Sequence, residues 1–286
     1  MEGKMLRAQF GLNRIIYPKI DLENFLIFTR ELDLKKIELR NDLPGGMIID
    51  DYSPIEFNDL LNKYGIEIIS INALQRFNLK ILLSEKISEL RQLITLCKKI
   101  NCKAIVLCPN NDVDDKRNAE EFFKDTISAL KTFGPIFQDN DMLGYVEPLG
   151  FKECSLRSII TAVKAIQETG FSNYKTVYDS FHHRIGPDTM ETIKDNYDIS
   201  YTGLVHISGV ECNLSDDKCN DNHRILVTKH DRFQTKEQLK LLLKMGYGGN
   251  ISLEPFSRTI QEMEIGNLKS AIDNSIEYLF QSIITG

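Results

Sequence analysis

Eight short apolar, strand-like runs recur along the chain with helical patterns between them, and this alternation limits the fold more than any other feature. The strand candidates are Leu6–Leu12, Lys36–Leu39, Glu67–Ile71, Ala104–Leu107, Leu143–Val146, Thr176–Tyr178, Gly203–Val205 and Ile251–Leu253. Their starts are roughly 25 to 50 residues apart, the spacing of repeated strand–helix units. Leu22–Leu32, Lys86–Ile100, Ala119–Phe137, Ser155–Thr169 and Lys236–Met245 place apolar residues at i, i+3, i+4 spacing, and a last helix is predicted over Asn267–Ile284. Gly170 and Gly246 predict helix stops, because glycine accepts the left-handed conformation after a C-cap. Eight such units predict an α/β protein: a single (β/α)8 (TIM) barrel forming one domain over residues 1–286. An open doubly wound sheet with a nucleotide site is the rival. Its mark is missing, since neither G-x-G-x-x-G nor G-x-x-x-x-G-K-[ST] follows a strand candidate.

Composition removes several function classes. The formal net charge is −6 and no cluster of five Lys/Arg residues occurs. A nucleic-acid partner, whose binding would rest on phosphate neutralisation, is therefore not expected. The first ten residues lack the apolar core of a signal peptide, and no apolar run approaches the roughly 20 residues needed to span a bilayer. No membrane partner is expected, and the expected location is cytoplasmic. The six cysteines form no C-x-x-C pair and are expected to be small buried thiols in a reducing compartment. Cys212 and Cys219, in a polar loop, leave a soft-metal site open. Homo-oligomerisation also stays open.

In a barrel of this kind, chemistry sits on the loops at the C-terminal ends of the strands. The last four strand candidates end Tyr-Val-Glu147, Val-Tyr-Asp179, Leu-Val-His206 and Ser-Leu-Glu254. Any one of these could simply begin a loop; four in succession suggest a divalent-cation site. Carboxylate oxygens with one imidazole suit Mn²⁺ first, and Mg²⁺, Co²⁺ or Zn²⁺ as well. Without a cation, three clustered carboxylates would repel one another. Pro148 and Pro255 follow two of the glutamates and hold them extended. All five histidines, His182, His183, His206, His223 and His230, lie after residue 181. The first half instead offers Asn13 and Arg14, Arg40 and Asn41, Asn72 and Gln75, and Asn110 at its strand ends. Amide side chains both donate and accept hydrogen bonds, as a polyhydroxylated substrate requires.

The order Glu147, Asp179-x-x-His182, His206, Glu254 on successive strands resembles the xylose isomerase-like barrels, which include ketose epimerases, inosose dehydratases and endonuclease IV-type nucleases. The stretches Leu39–Gly45, Ala73–Asn78, Val146–Phe151, His206–Val210 and Leu253–Phe256 are most similar to a branch associated with bacterial inositol catabolism. The resemblance implies a metal held by Glu147, Asp179, His206 and Glu254, with Glu147 and Glu254 also serving as acid and base and His182 contacting substrate. It implies proton abstraction beside a metal-bound carbonyl of a small polyhydroxylated substrate, a ketose or keto-inositol, free or phosphorylated. The epimerases carry an arginine shortly after the strand-seven histidine; here Ser208-Gly209-Val210 follows, and the nearest arginine is Arg224. Some relatives bind a second ion, and His182, Asp221 and His223 would form that set here. Asn13, Asn41, Asn72, Gln75, His182 and Arg224 are the expected substrate contacts. His183 and His230 are expected to be structural or surface groups.

Four functions compete. An isomerase or epimerase comes first. A lyase that loses a β-hydroxyl after the same proton abstraction is the alternative. A metal-dependent phosphodiesterase is disfavoured, because no early histidines exist for further metals. A non-catalytic sugar-binding barrel is disfavoured because the four ligands are intact.

Overall fold

The computed structural model describes residues 7–280. Eight parallel strands close into a barrel in sequence order. They are β1 (Phe10–Asn13), β2 (Lys36–Arg40), β3 (Glu67–Leu74), β4 (Ala104–Leu107), β5 (Leu143–Val146), β6 (Tyr174–Asp179), β7 (Thr202–Ile207) and β8 (Asn250–Leu253). The single predicted barrel is therefore the observed architecture. Closure is made by β1 against β8, with Phe10 opposite Ile251 and Leu12 opposite Leu253.

Three strands are longer by three residues than their apolar runs suggest, while β2 and β8 each gain one. β3 continues to Leu74, β6 begins at Tyr174 and ends on Asp179, and β7 continues to Ile207. Polar residues inside a barrel can extend a strand when partners across the barrel satisfy them, so hydropathy alone ends these strands too early. β1 differs in the other direction. It starts at Phe10, after a turn at Ala8–Gln9, and Arg7 is held outside the strand by the Leu32 carbonyl. Leu6, the first residue of that strand candidate, lies outside the described residues, as do positions 281–284 of the last predicted helix.

The helices follow the predicted pattern with ends shifted by up to a few residues in either direction. α1 (Leu22–Glu31) is capped by Asp21 and buries Leu22, Phe25, Leu26 and Phe28. α2 (Pro54–Tyr64) has no counterpart among the predicted helices. Its apolar face is narrow, only Phe57 and Leu61 being buried, and its start is fixed by local chemistry. Ser53 and Glu56 form a capping box, and Pro54 opens the first turn. Next come α3 (Leu83–Lys99), α4 (Ala119–Asp139), α5 (Ile159–Gln167), the short α6 (Ser180–Ile185) and α7 (Met190–Asn196), α8 (Thr235–Lys244), the short α9 (Arg258–Gln261) and α10 (Ile265–Phe280). Gly170 and Gly246 adopt positive φ after α5 and α8, as their stop role requires.

The main core lies between strands and helices, where residues such as Leu12, Leu39, Leu90, Leu130 and Leu253 are buried. A smaller apolar cluster of Ile69, Ala73, Val106, Cys108, Val177 and Leu204 sits apart from it. Strand side chains alternate between faces. The face that carries Val177 and Leu204 therefore also carries Asp179 and His206, two residues further along each strand. A third cluster, Phe181, Val210, Cys219 and Phe233, anchors the long segment that follows β7.

Candidate metal centre

Each strand delivers one polar or thiol side chain within two residues of its end: Asn13, Arg40, Asn72, Cys108, Glu147, Asp179, His206 and Glu254, all buried. Glu147, Asp179, His206 and Glu254 present ligand atoms that all lie within 4.8 Å of one another. His206 Nδ1 lies 2.8 Å from Glu147 Oε1, 3.2 Å from Glu254 Oε2 and 3.9 Å from Asp179 Oδ2.

The remaining atoms of these four groups are largely occupied. Asp179 Oδ1 accepts the backbone N–H groups of Phe181 (2.7 Å) and His182 (2.9 Å), so Asp179 is also the N-cap of α6. The Asp179-x-x-His182 spacing is thus a capping spacing, which places His182 on the first turn of that helix. Glu254 Oε1 accepts from Arg40 (2.8 Å), Asn13 (3.0 Å) and Asn72 (3.3 Å). His206 Nε2 faces Glu38 Oε2 at 3.0 Å. What stays directed at the cluster is Asp179 Oδ2, Glu254 Oε2, His206 Nδ1 and Glu147 Oε1. Three hard oxygens and one imidazole nitrogen, buried and convergent, are a donor set for a divalent cation.

Electrostatics agree with a site built for positive charge. Burial pushes the His206 imidazole towards its neutral form, but the carboxylates of Glu254, Glu38 and Glu147 outweigh this and hold its pKa well above the ordinary value. Burial would raise the Glu254 pKa, yet His206, Arg224 and Arg40 draw it far below the usual carboxylate range. Burial, with the Glu147 charge beside it, pushes the Cys108 thiol up, so Cys108 stays protonated next to the cluster.

Arg224 is fully buried despite lying on the long segment after β7. Its Nη2 donates to Asp179 Oδ2 at 2.6 Å and to Glu254 Oε2 at 2.8 Å, and Nε donates to Ser208 Oγ at 3.1 Å. The guanidinium lies over the Phe256 ring at 4.7 Å and the Phe181 ring at 5.1 Å. The segment folds back to bring it there: Gly209 and Ile225 exchange backbone hydrogen bonds of 2.7 and 2.8 Å. Sixteen residues of sequence separate Arg224 from Ser208, and one tertiary contact removes that distance.

Above the cluster opens a cavity of about 440 Å³, lined by Arg40, Asn72, Gln75, Arg76, His182 and Arg224, by Glu147 and Glu254, and by the apolar faces of Leu149, Phe151 and Phe256. Gly150 lets the loop after β5 lie against α6, since a Cβ there would sit 2.2 Å from the His182 carbonyl oxygen. Phe151 packs edge-on to the His182 ring at 5.1 Å.

The structure sorts the sequence-predicted substrate contacts. Asn72, Gln75, His182 and Arg224 line the cavity. Asn13 does not; its amide is shared between Glu38 (2.7 Å) and Glu254 (3.0 Å). Asn41 spends its side chain on the backbone of Ala73, donating to its carbonyl at 3.0 Å and accepting from its N–H at 2.9 Å. Arg14 is engaged by Asp50. The second-metal set is not assembled: among the described residues, the four-residue cluster is the one group whose ligand atoms converge. Asp221 pairs with Arg224 at 3.3 Å, and His223 Nδ1 accepts the Asn220 N–H at 3.0 Å. Asp221 and His223 are engaged by partners on their own segment, and Arg224 Nη2 already donates to Asp179 Oδ2, the oxygen that the α6 cap leaves open. The Cys212 and Cys219 sulfurs meet at 3.7 Å, but no further ligand joins them in a converging group among the described residues.

Two residues at the site go beyond the sequence expectations. Arg40 was noted at its strand end, but its contact with Glu254 was not foreseen. Glu38 is not among the sequence candidates. The available signal was a carboxylate inside the apolar run Ile37-Glu38-Leu39, two residues before a strand end.

Comparison with known proteins places this geometry. A family model described as a xylose isomerase-like TIM barrel matches residues 28–281. An inosose isomerase from Halalkalibacterium halodurans is 22% identical over 233 residues, covering 80% of this chain and 81% of that protein. A xylose isomerase domain containing protein from Salmonella typhimurium is 34% identical with a TM-score of 0.90, covering 96% of this chain and 98% of that one. The IolI protein, solved with a binding zinc atom, superposes with a TM-score of 0.87 at 19% identity, covering 96% and 99% of the two chains.

Proposed function

The chain belongs to the xylose isomerase-like TIM-barrel family, and from that premise we propose that it is a divalent-metal-dependent isomerase or epimerase of a small ketose or keto-inositol. The observation that carries this reading is the convergence of Glu147, Asp179, His206 and Glu254 in a buried cluster at the floor of a polar cavity. The likeness to an inosose isomerase supports a keto-inositol as the first substrate to test.

When bound, a divalent cation polarises the substrate carbonyl and lowers the cost of charge that develops on its oxygen. The chain's own residues do the rest. Glu147 and Glu254 end β5 and β8, the two outer strands of the four that carry ligands. They flank the site from its two ends, as an acid and a base acting on different faces of one carbon must. Arg40 and Arg224 hold Glu254 ionised, the state a base requires. Asn72, Gln75 and His182 offer neutral hydrogen-bonding groups for hydroxyls, while Phe151 and Phe256 give apolar faces for the carbon skeleton.

An NMR assay in ²H₂O tests the proposal. The Mn²⁺-loaded protein is incubated with inososes, ketoses and their phosphates. Deuterium entering one carbon of a recovered isomer is the expected result. A product lighter by one water would replace the isomerase with a lyase, and no exchange with any of these carbonyl compounds would overturn proton abstraction. No helix among the described residues is long and apolar enough to cross a membrane. All six cysteines are free, which fits the cytoplasm.

A further inference from the structure

We propose that Glu38 is a positioning residue that aims His206, and through Asn13 also Glu254, at the metal position; the inference rests on the metal-centre reading above. Glu38 sits in the middle of β2, fully buried, and does not line the cavity. It therefore touches no substrate. Its carboxylate gathers polar groups from four other strands. His206 Nε2 on β7 lies 3.0 Å from Oε2 and 3.2 Å from Oε1. Asn13 Nδ2 on β1 donates to Oε2 at 2.7 Å, Ser252 Oγ on β8 donates to Oε2 at 3.0 Å, and Ser70 Oγ on β3 donates to Oε1 at 2.8 Å.

The chemistry follows from the inventory of donors and acceptors. An ionised carboxylate only accepts hydrogen bonds, so the Nε2 that faces Glu38 must carry a proton. In a neutral imidazole this leaves the lone pair on Nδ1, the nitrogen directed at Glu147, Glu254 and Asp179. Glu38 thereby fixes both the tautomer and the rotation of the ring. The serine and asparagine donors hold the Glu38 carboxylate itself in place. Because the Asn13 amide bridges Glu38 and Glu254 Oε1, the same carboxylate also limits how Glu254 can rotate. A metal-ligating histidine held by a carboxylate behind it loses about 10–100-fold in metal affinity when that partner is changed.

The test is Glu38→Gln in the full chain. Glutamine preserves the shape but can offer an N–H, which permits the opposite tautomer. Zn²⁺ and Mn²⁺ affinities of the metal-free protein are measured by competition with a chelating indicator, alongside thermal unfolding without metal. Ring ¹⁵N spectra of the Zn²⁺-loaded protein are recorded in parallel. The expected result is a folded variant with affinity weakened about 10–100-fold and the His206 Nε2–H signal lost or shifted. Lower thermal stability with unchanged affinity would mean that Glu38 merely fills the barrel, and would overturn the proposal. Should the glutamine variant fail to fold, Glu38→Asp withdraws the carboxylate by one methylene, and unchanged affinity there overturns it equally. A wild-type chain that binds neither ion would overturn the metal-centre reading itself, and the role of Glu38 with it. Wild-type binding with an indifferent variant overturns only the role of Glu38.

Discussion

The two halves of the barrel meet in one site but contribute in different ways. β5 to β8 supply Glu147, Asp179, His206 and Glu254, whose ligand-type atoms converge. β1 to β3 supply Asn13, Glu38, Arg40 and Asn72, and each of these touches a ligand from the other half: Glu38 meets His206, and the other three meet Glu254. On the proposed reading, the second half holds the reactive groups and the first half aims and charges them. The difference shows how a closed barrel uses its interior. Residues far apart in sequence become neighbours across the axis, so the support for one strand's side chain need not come from adjacent sequence.

The largest expected break in this division is at the reactive groups. Glu147→Gln and Glu254→Gln should each lower turnover of the identified substrate by about 10²–10⁴-fold, the range for losing a general acid or base. Steady-state kinetics with metal in excess would show it, and near-normal turnover in both would move the acid–base pair elsewhere. Arg40→Met tests the supporting half. It removes a buried guanidinium from Glu254 and Asp42, and should cost about 3 kcal/mol in urea unfolding of the metal-free protein, the low end for breaking a buried ion pair, because Glu254 keeps Arg224 as a second cationic partner. Stripping metal with a chelator should lower stability by about 2.7 kcal/mol relative to protein at a hundredfold excess over the dissociation constant. Calorimetry with and without added Mn²⁺ or Zn²⁺ would measure that shift.

Smaller effects separate residues near the site from residues of it. Burial lowers the His183 pKa to about 4 from its ordinary 6.5. A depressed folded-state value means that the unfolded chain binds the proton first as pH falls. The stability contribution is complete above pH 6.5 and is lost on acidification towards pH 4. The loss should be on the order of 2 kcal/mol, since the ring is partly screened by solvent. His183→Asn should flatten that part of a pH–stability curve. An unchanged curve would mean that the ring is not buried in its neutral form. Asn41→Ala should cost about 1–2 kcal/mol through its two lost bonds to Ala73 and leave KM unchanged. A raised KM with unaltered stability would return Asn41 to the substrate.

The convergence of these four side chains was legible in the sequence for a specific reason. Each follows an apolar run directly, and the C-terminal ends of barrel strands share one face, so counting strands was enough to bring Glu147 and Glu254 together. The amides of the first half read less well. Asn72 and Gln75 line the cavity, whereas Asn13 and Asn41 turn to Glu254 and Ala73, and residue type alone cannot say which partner an amide finds. The second-ion set reads no better: His182, Asp221 and His223 are of the right type, but Asp221 pairs with Arg224 and His223 accepts from the Asn220 backbone, and the three do not converge.

The sequence by itself determined the barrel, the polar residues that close its last four strands and the charge of the site, because periodicity and residue type are local properties of the chain. Only the tertiary structure decided that Glu38 stands behind His206, that Arg224 returns across sixteen residues to Asp179 and Glu254, and that Asn41 serves the backbone. These contacts depend on strand register and on the path of a long loop, and both are set by how the whole barrel closes.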